Sequence, residues 1–226
     1  FRRVLFRSLG ANPYASNGSL CTAPDFPGRI EAIRARGGKV VVVDPRLTRT
    51  AEEADEWLAI RPGSDALWLM AIVQVLFDEN LVDIPERLRD FIDGVERLRE
   101  VSAPFTPEAV EAATGIDANT TRRIAREVAA APTAAVYGRI GTTTTEFGTT
   151  ASWLIDVVNT LSGNLDRAGG VMFTRPAVGS PTTKGTPGTG SGFRIGRGGG
   201  RTKVSGYPEV MGEYPAAAMA EEILEA

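Results

Sequence analysis

At 226 residues the chain is long enough for one well-packed domain, and its 42% hydrophobic and 23% charged residues are ordinary for a globular protein. A formal net charge of -3 gives no electrostatic case for nucleic acid or an anionic membrane, and no apolar run approaches the ~20 residues of a spanning helix. A soluble chain with no nucleic-acid partner and no membrane insertion is therefore expected. One cysteine, Cys21, and no histidine exclude an internal disulfide, Ser-His-Asp and Cys-His catalysis, a Cys-ligated cluster and most zinc sites. Hard chemistry must then come from a cofactor or from residues elsewhere.

The opening FRRVLFRS differs in style from the rest of the chain, and residues 1–8 are set aside as a non-native leader. The alternative is that Val4, Leu5 and Phe6 belong to a strand. Residues 9–19 (LGANPYASNGS) are small and turn-forming and read as a loop. Pro27 opens a helix that runs through Arg36 and is stopped by Gly37 and Gly38. Residues 39–43 (KVVVV) form a β-branched run, apolar on both faces, which predicts a strand inside a parallel sheet covered by helices.

After the apolar run WLAI at residues 57–60, Pro62, Gly63, Ser64 and Asp65 form a turn in which Ser64 or Asp65 caps a deeply buried helix over residues 66–77. Two shorter amphipathic stretches come next, with Leu88, Phe91, Val95, Leu98 and Val101 inward. Thr106-Pro107 starts a further helix, Gly115 ends it, and Asp117 caps another that carries Ile124 and Val128. Residues 133–137 (TAAVY) are a second buried strand, residues 138–145 a polar run, residues 152–161 a helix, and residues 171–173 a short strand. Ten glycines in residues 179–206 predict a long loop or linker. Met219 to Ala226 reads as a helix stopped midway, so an internal fragment is expected.

The predicted fold class is α/β: a Rossmann-like parallel sheet with flanking helices and a helical insertion, followed by the Gly-rich loop. The expected divisions are residues 1–8, 9–178 and 179–226. In such sheets ligands sit beyond the carboxyl ends of the strands, where residues 10–16, 44–48 and 138–145 would fall. The first is small enough to let backbone N–H groups approach a phosphate. Asp44 is placed to accept from a ribose hydroxyl or a base edge, Asp65 can accept from guanine N1 and N2, and Arg46 offers a planar fork of donors. Each also has a plainer reading: Asp44-Pro45 ends a strand, Gly63-Ser64-Asp65 caps a helix, and Arg46 and Arg139 are solvated surface charges. No GxGxxG is present.

LGANPYASN, then VVVVDPRLTRTAEEAD, IRPGSDALWLMA, FTPEAVEAATGIDANTTRRIARE, YGRIGTTTTEFG and LSGNLDRAGGVMF together resemble the cofactor-binding core of the molybdopterin oxidoreductase superfamily, which includes formate dehydrogenases, nitrate reductases and dimethyl sulfoxide reductase. The resemblance covers residues 9–173. It implies molybdopterin guanine dinucleotide with molybdenum or tungsten as cofactor, and two-electron redox or oxygen-atom transfer on a small-molecule substrate. It further implies a 4Fe-4S cluster and the metal ligand in a segment before Leu9, and electron-transfer subunits as partners. Gly10, Ala11, Asn12, Pro13, Tyr14, Ala15 and Ser16 would line the pyrophosphate and pterin. Asp44, Pro45, Arg46 and Thr48 would contact the guanosine, and Gly63, Ser64 and Asp65 would read the guanine. Ile140, Gly141 and Thr144 match a loop nearer the metal, although a Gln often found there is replaced by Thr144 or Thr145. Relatives place their metal ligand upstream of the GxNP loop; Cys21 lies downstream, so no metal ligand or catalytic residue is expected in this chain. The rival readings are an ordinary nicotinamide- or flavin-dinucleotide domain, against which the missing GxGxxG and SGNLDRAGG argue, and a non-catalytic scaffold.

Overall fold

The computed structural model describes residues 4–16, 24–172, 200–208 and 214–225. The chain divides into two compact units, residues 1–89 with 94–173, and residues 90–93 with 174–226.

The first unit is built on four parallel strands, β1 (Val4–Leu9), β2 (Lys39–Val43), β3 (Glu56–Leu58) and β4 (Thr133–Gly138), in the spatial order β3-β2-β1-β4. The alternation of β2 explains its unbroken valine run. Val41 and Val43 enter one core with Leu9, Ala134 and Val136, while Val40 and Val42 enter another with Phe26, Ile30 and Ala51. A strand covered on both faces has no polar side to show.

The second of those cores lies under α2 (Phe26–Ala35) and α3 (Arg49–Glu52). The larger one gathers α4 (Asp65–Asp78), α8 (Ala118–Ala130) and α10 (Gly148–Leu161) against the opposite face. Between β3 and β4, α5 (Glu86–Arg89), α6 (Val95–Ser102) and α7 (Pro107–Thr114) complete the helical insertion with α4 and α8. The capping signals act as read: the Thr106 hydroxyl accepts from Ala109 N, the Asp117 carboxylate from Thr120 N, and Gly115 ends α7 at φ 76°. Ser64 precedes α4, but its hydroxyl donates back to Arg61 O at 2.7 Å and caps no helical N–H.

Residues 4–8 lie within β1 in the middle of the sheet, hydrogen-bonded to β2 on one side and β4 on the other, in keeping with the alternative reading of Val4, Leu5 and Phe6 as strand. Other expectations are corrected. The expected loop after Leu9 contains a one-turn helix, α1 (Pro13–Ser16), and the polar run after β4 contains another, α9 (Ile140–Thr143). Leu88 is buried, and Val95 and Leu98 pack against the core, but Phe91 and Val101 face solvent. Val171 makes an isolated bridge to Leu165 rather than a strand. Phe173, Cys21 and most of the Gly-rich run lie outside the described residues.

The edge of β4 is closed by side chains. The buried Asn159 amide accepts from Val136 N at 3.0 Å and donates to Val136 O at 2.7 Å, and Asn164 accepts from Ala134 N at 2.8 Å. Two amides thus do for β4 what a fifth strand would do.

In the second unit, α11 (Met219–Glu225) follows a 3-10 turn at Ala216–Ala218, and the Glu222 carboxylate accepts from Lys203 N and Val204 N.

A cleft at the switch point of the sheet

From β1 the chain moves outward through β2 to β3 and returns on the other side of β1 to form β4. The loops leaving β1 and β4 therefore diverge to opposite sides, and a crevice opens between them at the carboxyl ends of the strands. A cleft of about 380 Å³ lies there, lined by Gly10, Ala11, Asn12, Pro13, Ala15, Ser16, Asp44, Arg139, Ile140 and Gly141.

Its floor is backbone against backbone. Gly141 N donates to Gly10 O at 3.1 Å, and Arg139 N donates to Leu9 O at 3.1 Å. A Cβ on Gly141 would lie 2.7 Å from Gly10 Cα, and one on Gly10 would lie 2.7 Å from Thr142 N. Gly10 also has φ 57°, a conformation that side chains disfavour. Both positions need glycine for close approach, which leaves main chain bare to a ligand.

The walls are held from outside. Asn12 Oδ1 accepts from the buried Thr50 hydroxyl at 2.7 Å, and the same hydroxyl accepts from Tyr14 N at 3.2 Å. Trp57 Nε1 donates to Asp44 O at 2.8 Å, which fixes the strand tip, and Arg46 N donates to Asp44 Oδ1 at 2.9 Å. The cleft thus unites nine of the expected site residues: Gly10, Ala11, Asn12, Pro13, Ala15, Ser16, Asp44, Ile140 and Gly141.

The remaining expected residues lie outside its lining. Tyr14 packs against the Phe26–Val42 core. Pro45 and Arg46 are exposed, and the Thr48 hydroxyl caps α3 by accepting from Ala51 N. Thr144 is exposed, with its hydroxyl donating to Ile140 O at 2.7 Å. Gly63, Ser64 and Asp65 follow β3, with Gly63 at φ 81° and Asp65 opening α4. Asp65 is 5% exposed, and burial raises its carboxyl above the usual range. Its own backbone N–H opposes that rise and the Asp44 charge adds to it.

Three further participants were not named individually as site residues. Thr50 acts through hydrogen bonds to residues 36 and 38 positions away, which no local pattern reveals. Thr142, 0% exposed, ties the β4 loop to Arg139 O. Arg139, which falls in the candidate segment 138–145 but also had a reading as a solvated surface charge, lines the cleft.

Glycine-floored and placed at a switch point, with an acid at one strand tip and a buried acid after the next, the cleft lies where open α/β sheets hold their ligands. The sequence comparisons are more specific. Residues 8–197 match the family model described as molybdopterin oxidoreductase, and the chain belongs to that family. It is 36% identical over 143 residues to the molybdopterin-containing subunit PhsA of thiosulfate reductase from Salmonella typhimurium, covering 63% of this chain and 19% of that one. It is 34% identical over 159 residues to formate dehydrogenase H of Escherichia coli, covering 70% and 21%. Among solved structures it is similar to acetylene hydratase from Pelobacter acetylenicus, with TM-score 0.61 and 26% identity over 71% of this chain and 21% of that one. The chain spans about a fifth of the length of these relatives.

Proposed function

We propose that this chain grips one molybdopterin guanine dinucleotide of a molybdenum or tungsten centre. The protein of which it is part would move two electrons, often with an oxygen atom, between that centre and a small-molecule substrate. The observation that carries this reading is the Gly10–Gly141 contact at the switch point, a floor with no room for a Cβ and main chain open to a diphosphate. Asp44 and the buried Asp65 fit the guanosine end. A carboxylate at Asp65 can accept from both guanine N1 and N2.

When bound, the metal–pterin centre supplies the redox chemistry. This chain's residues orient it: Asn12, pinned by Thr50, sets the loop over the diphosphate, and Asp44, pinned by Trp57, meets the guanosine. The guanine dinucleotide form of the cofactor, a 4Fe-4S cluster carried by another segment, and electron-transfer partners belong to the same proposal. Two relatives, from thiosulfate and arsenate respiratory reductases, are named as molybdopterin-containing subunits, which supports partner subunits.

The test is mass spectrometry of the purified full-length protein, expressed with cofactor biosynthesis available, for guanine nucleotide and for molybdenum or tungsten. About two guanosines per metal atom are expected for a centre held by two dinucleotides. Folded protein with neither guanosine nor metal would leave the scaffold reading in its place.

A further inference from the structure

We propose that Arg139 is the diphosphate-holding residue of this cleft, an inference that rests on the dinucleotide reading above. Among the described lining residues Arg139 is the one cation and Asp44 the one anion. A diphosphate entering over the glycine floor therefore meets a single guanidinium. The Arg139 Nε is buried and has no hydrogen-bond partner among the described residues. Solvent-facing arginines can turn to water, but a buried N–H cannot, and such a donor is normally satisfied. In the same unit the guanidinium groups of Arg34, Arg122, Arg123 and Arg126 are matched to carboxylates.

The main chain at Arg139 is fixed where a ligand clamp would need it. Its N–H donates to Leu9 O, and its carbonyl accepts from Thr142 N at 2.8 Å and from the Thr142 hydroxyl at 2.7 Å. The root of the side chain is thus tied to both β1 and the β4 loop, beside Gly10 and Gly141. A planar fork of donors on a rigid root suits two phosphate oxygens better than a point charge would.

Calorimetric titration of the full 226-residue chain and its Arg139→Gln and Arg139→Lys variants with GDP and with guanosine tests this. Wild type should bind GDP more tightly than guanosine. Arg139→Gln should lose about 10- to 100-fold in GDP affinity, and Arg139→Lys less, with guanosine affinity unchanged in both. Unchanged guanosine binding also shows that the variants fold. If wild type binds both ligands and Arg139→Gln binds GDP within about twofold of wild type, Arg139 does not hold the diphosphate although the nucleotide site stands. If wild type binds neither ligand, the dinucleotide reading fails and takes this inference with it.

Discussion

Replacing Arg7 with leucine should stabilise the protein. Arg7 sits in the middle of β1, 1% exposed, and its side chain makes one ion pair, to Glu127 Oε2 at 2.5 Å. Its Nε and Nη1 are buried without partners among the described residues. Burial brings its pKa down to about 10, well below the usual guanidinium range, with Glu127 and Glu56 opposing the fall and Arg123 adding to it. A folded-state pKa below the unfolded value means that the charged form is disfavoured on folding. The cost applies at every pH below about 10 and fades only above it, and it amounts to roughly 3 kcal/mol. Removing Arg7 does not strand Glu127, which keeps Arg123 at 2.8 Å and Lys39 at 3.8 Å. The cluster of Arg7, Lys39 and Arg123 around Glu56 and Glu127 becomes two cations against two carboxylates. Leucine in the same space would join Leu9, Val41 and Val136. The net gain should be about 2–4 kcal/mol, from the relieved desolvation and the added apolar burial, because Glu127 keeps two other cations. For a chain of this size that raises the melting temperature by roughly 5–15 °C. Glu127→Gln, which leaves the guanidinium buried without its carboxylate, should instead cost about 3–5 kcal/mol. Thermal and urea melts at pH 7 measure both. An Arg7→Leu protein that melts below wild type would show that the ion pair is net stabilising and refute the reasoning.

Three other outcomes are expected. Gly141→Ala forces Gly10 and Gly141 apart and should cost about 1–3 kcal/mol while removing nucleotide binding. Gly94→Ala, whose Cβ meets open space, should leave binding intact in the same titration. Asn159→Leu leaves Val136 N and O unpaired inside the protein and should cost about 2–5 kcal/mol by denaturant melt. By baring the β4 edge it should also promote association on size exclusion. Asp65→Asn should melt above wild type at pH 7 in the absence of ligand. With its folded pKa raised by burial, Asp65 binds its proton more tightly when folded, so stability falls as pH rises past the ordinary carboxylate range. The advantage of the variant should shrink as the pH is lowered, and a constant offset would contradict that assignment.

Much of this architecture is legible because local and global signals agree. The valine run of β2 is coextensive with the strand, and the caps at Thr106 and Asp117 and the stop at Gly115 lie where the residue types place them. β1 is the least legible strand, because Arg7 breaks the apolar pattern of a central strand and charged residues are seldom buried that deep. The one-turn helices α1 and α9 are too short to carry a periodic signal, and their shape follows from tertiary bonds to Thr50 and Leu9. At the site, glycines and strand-tip acids announced themselves. The roles of Arg139 and of the edge-closing Asn159 and Asn164 depend on which strand lies beside which, and pairwise order of that kind is absent from a linear pattern.

The central claim is that Asp65 reads a guanine, and exchanging the base tests it most directly. Aspartate accepts from guanine N1 and N2, whereas asparagine offers one acceptor and one donor and so matches the N1–H and C2 carbonyl of xanthine. Titrating wild type and Asp65→Asn with GDP and xanthosine diphosphate should show a reversal, with wild type preferring GDP and the variant preferring xanthosine diphosphate, each by about 10-fold or more. A wild-type chain that binds the two diphosphates equally, or a variant that keeps its preference for GDP, would place the base elsewhere and contradict the account.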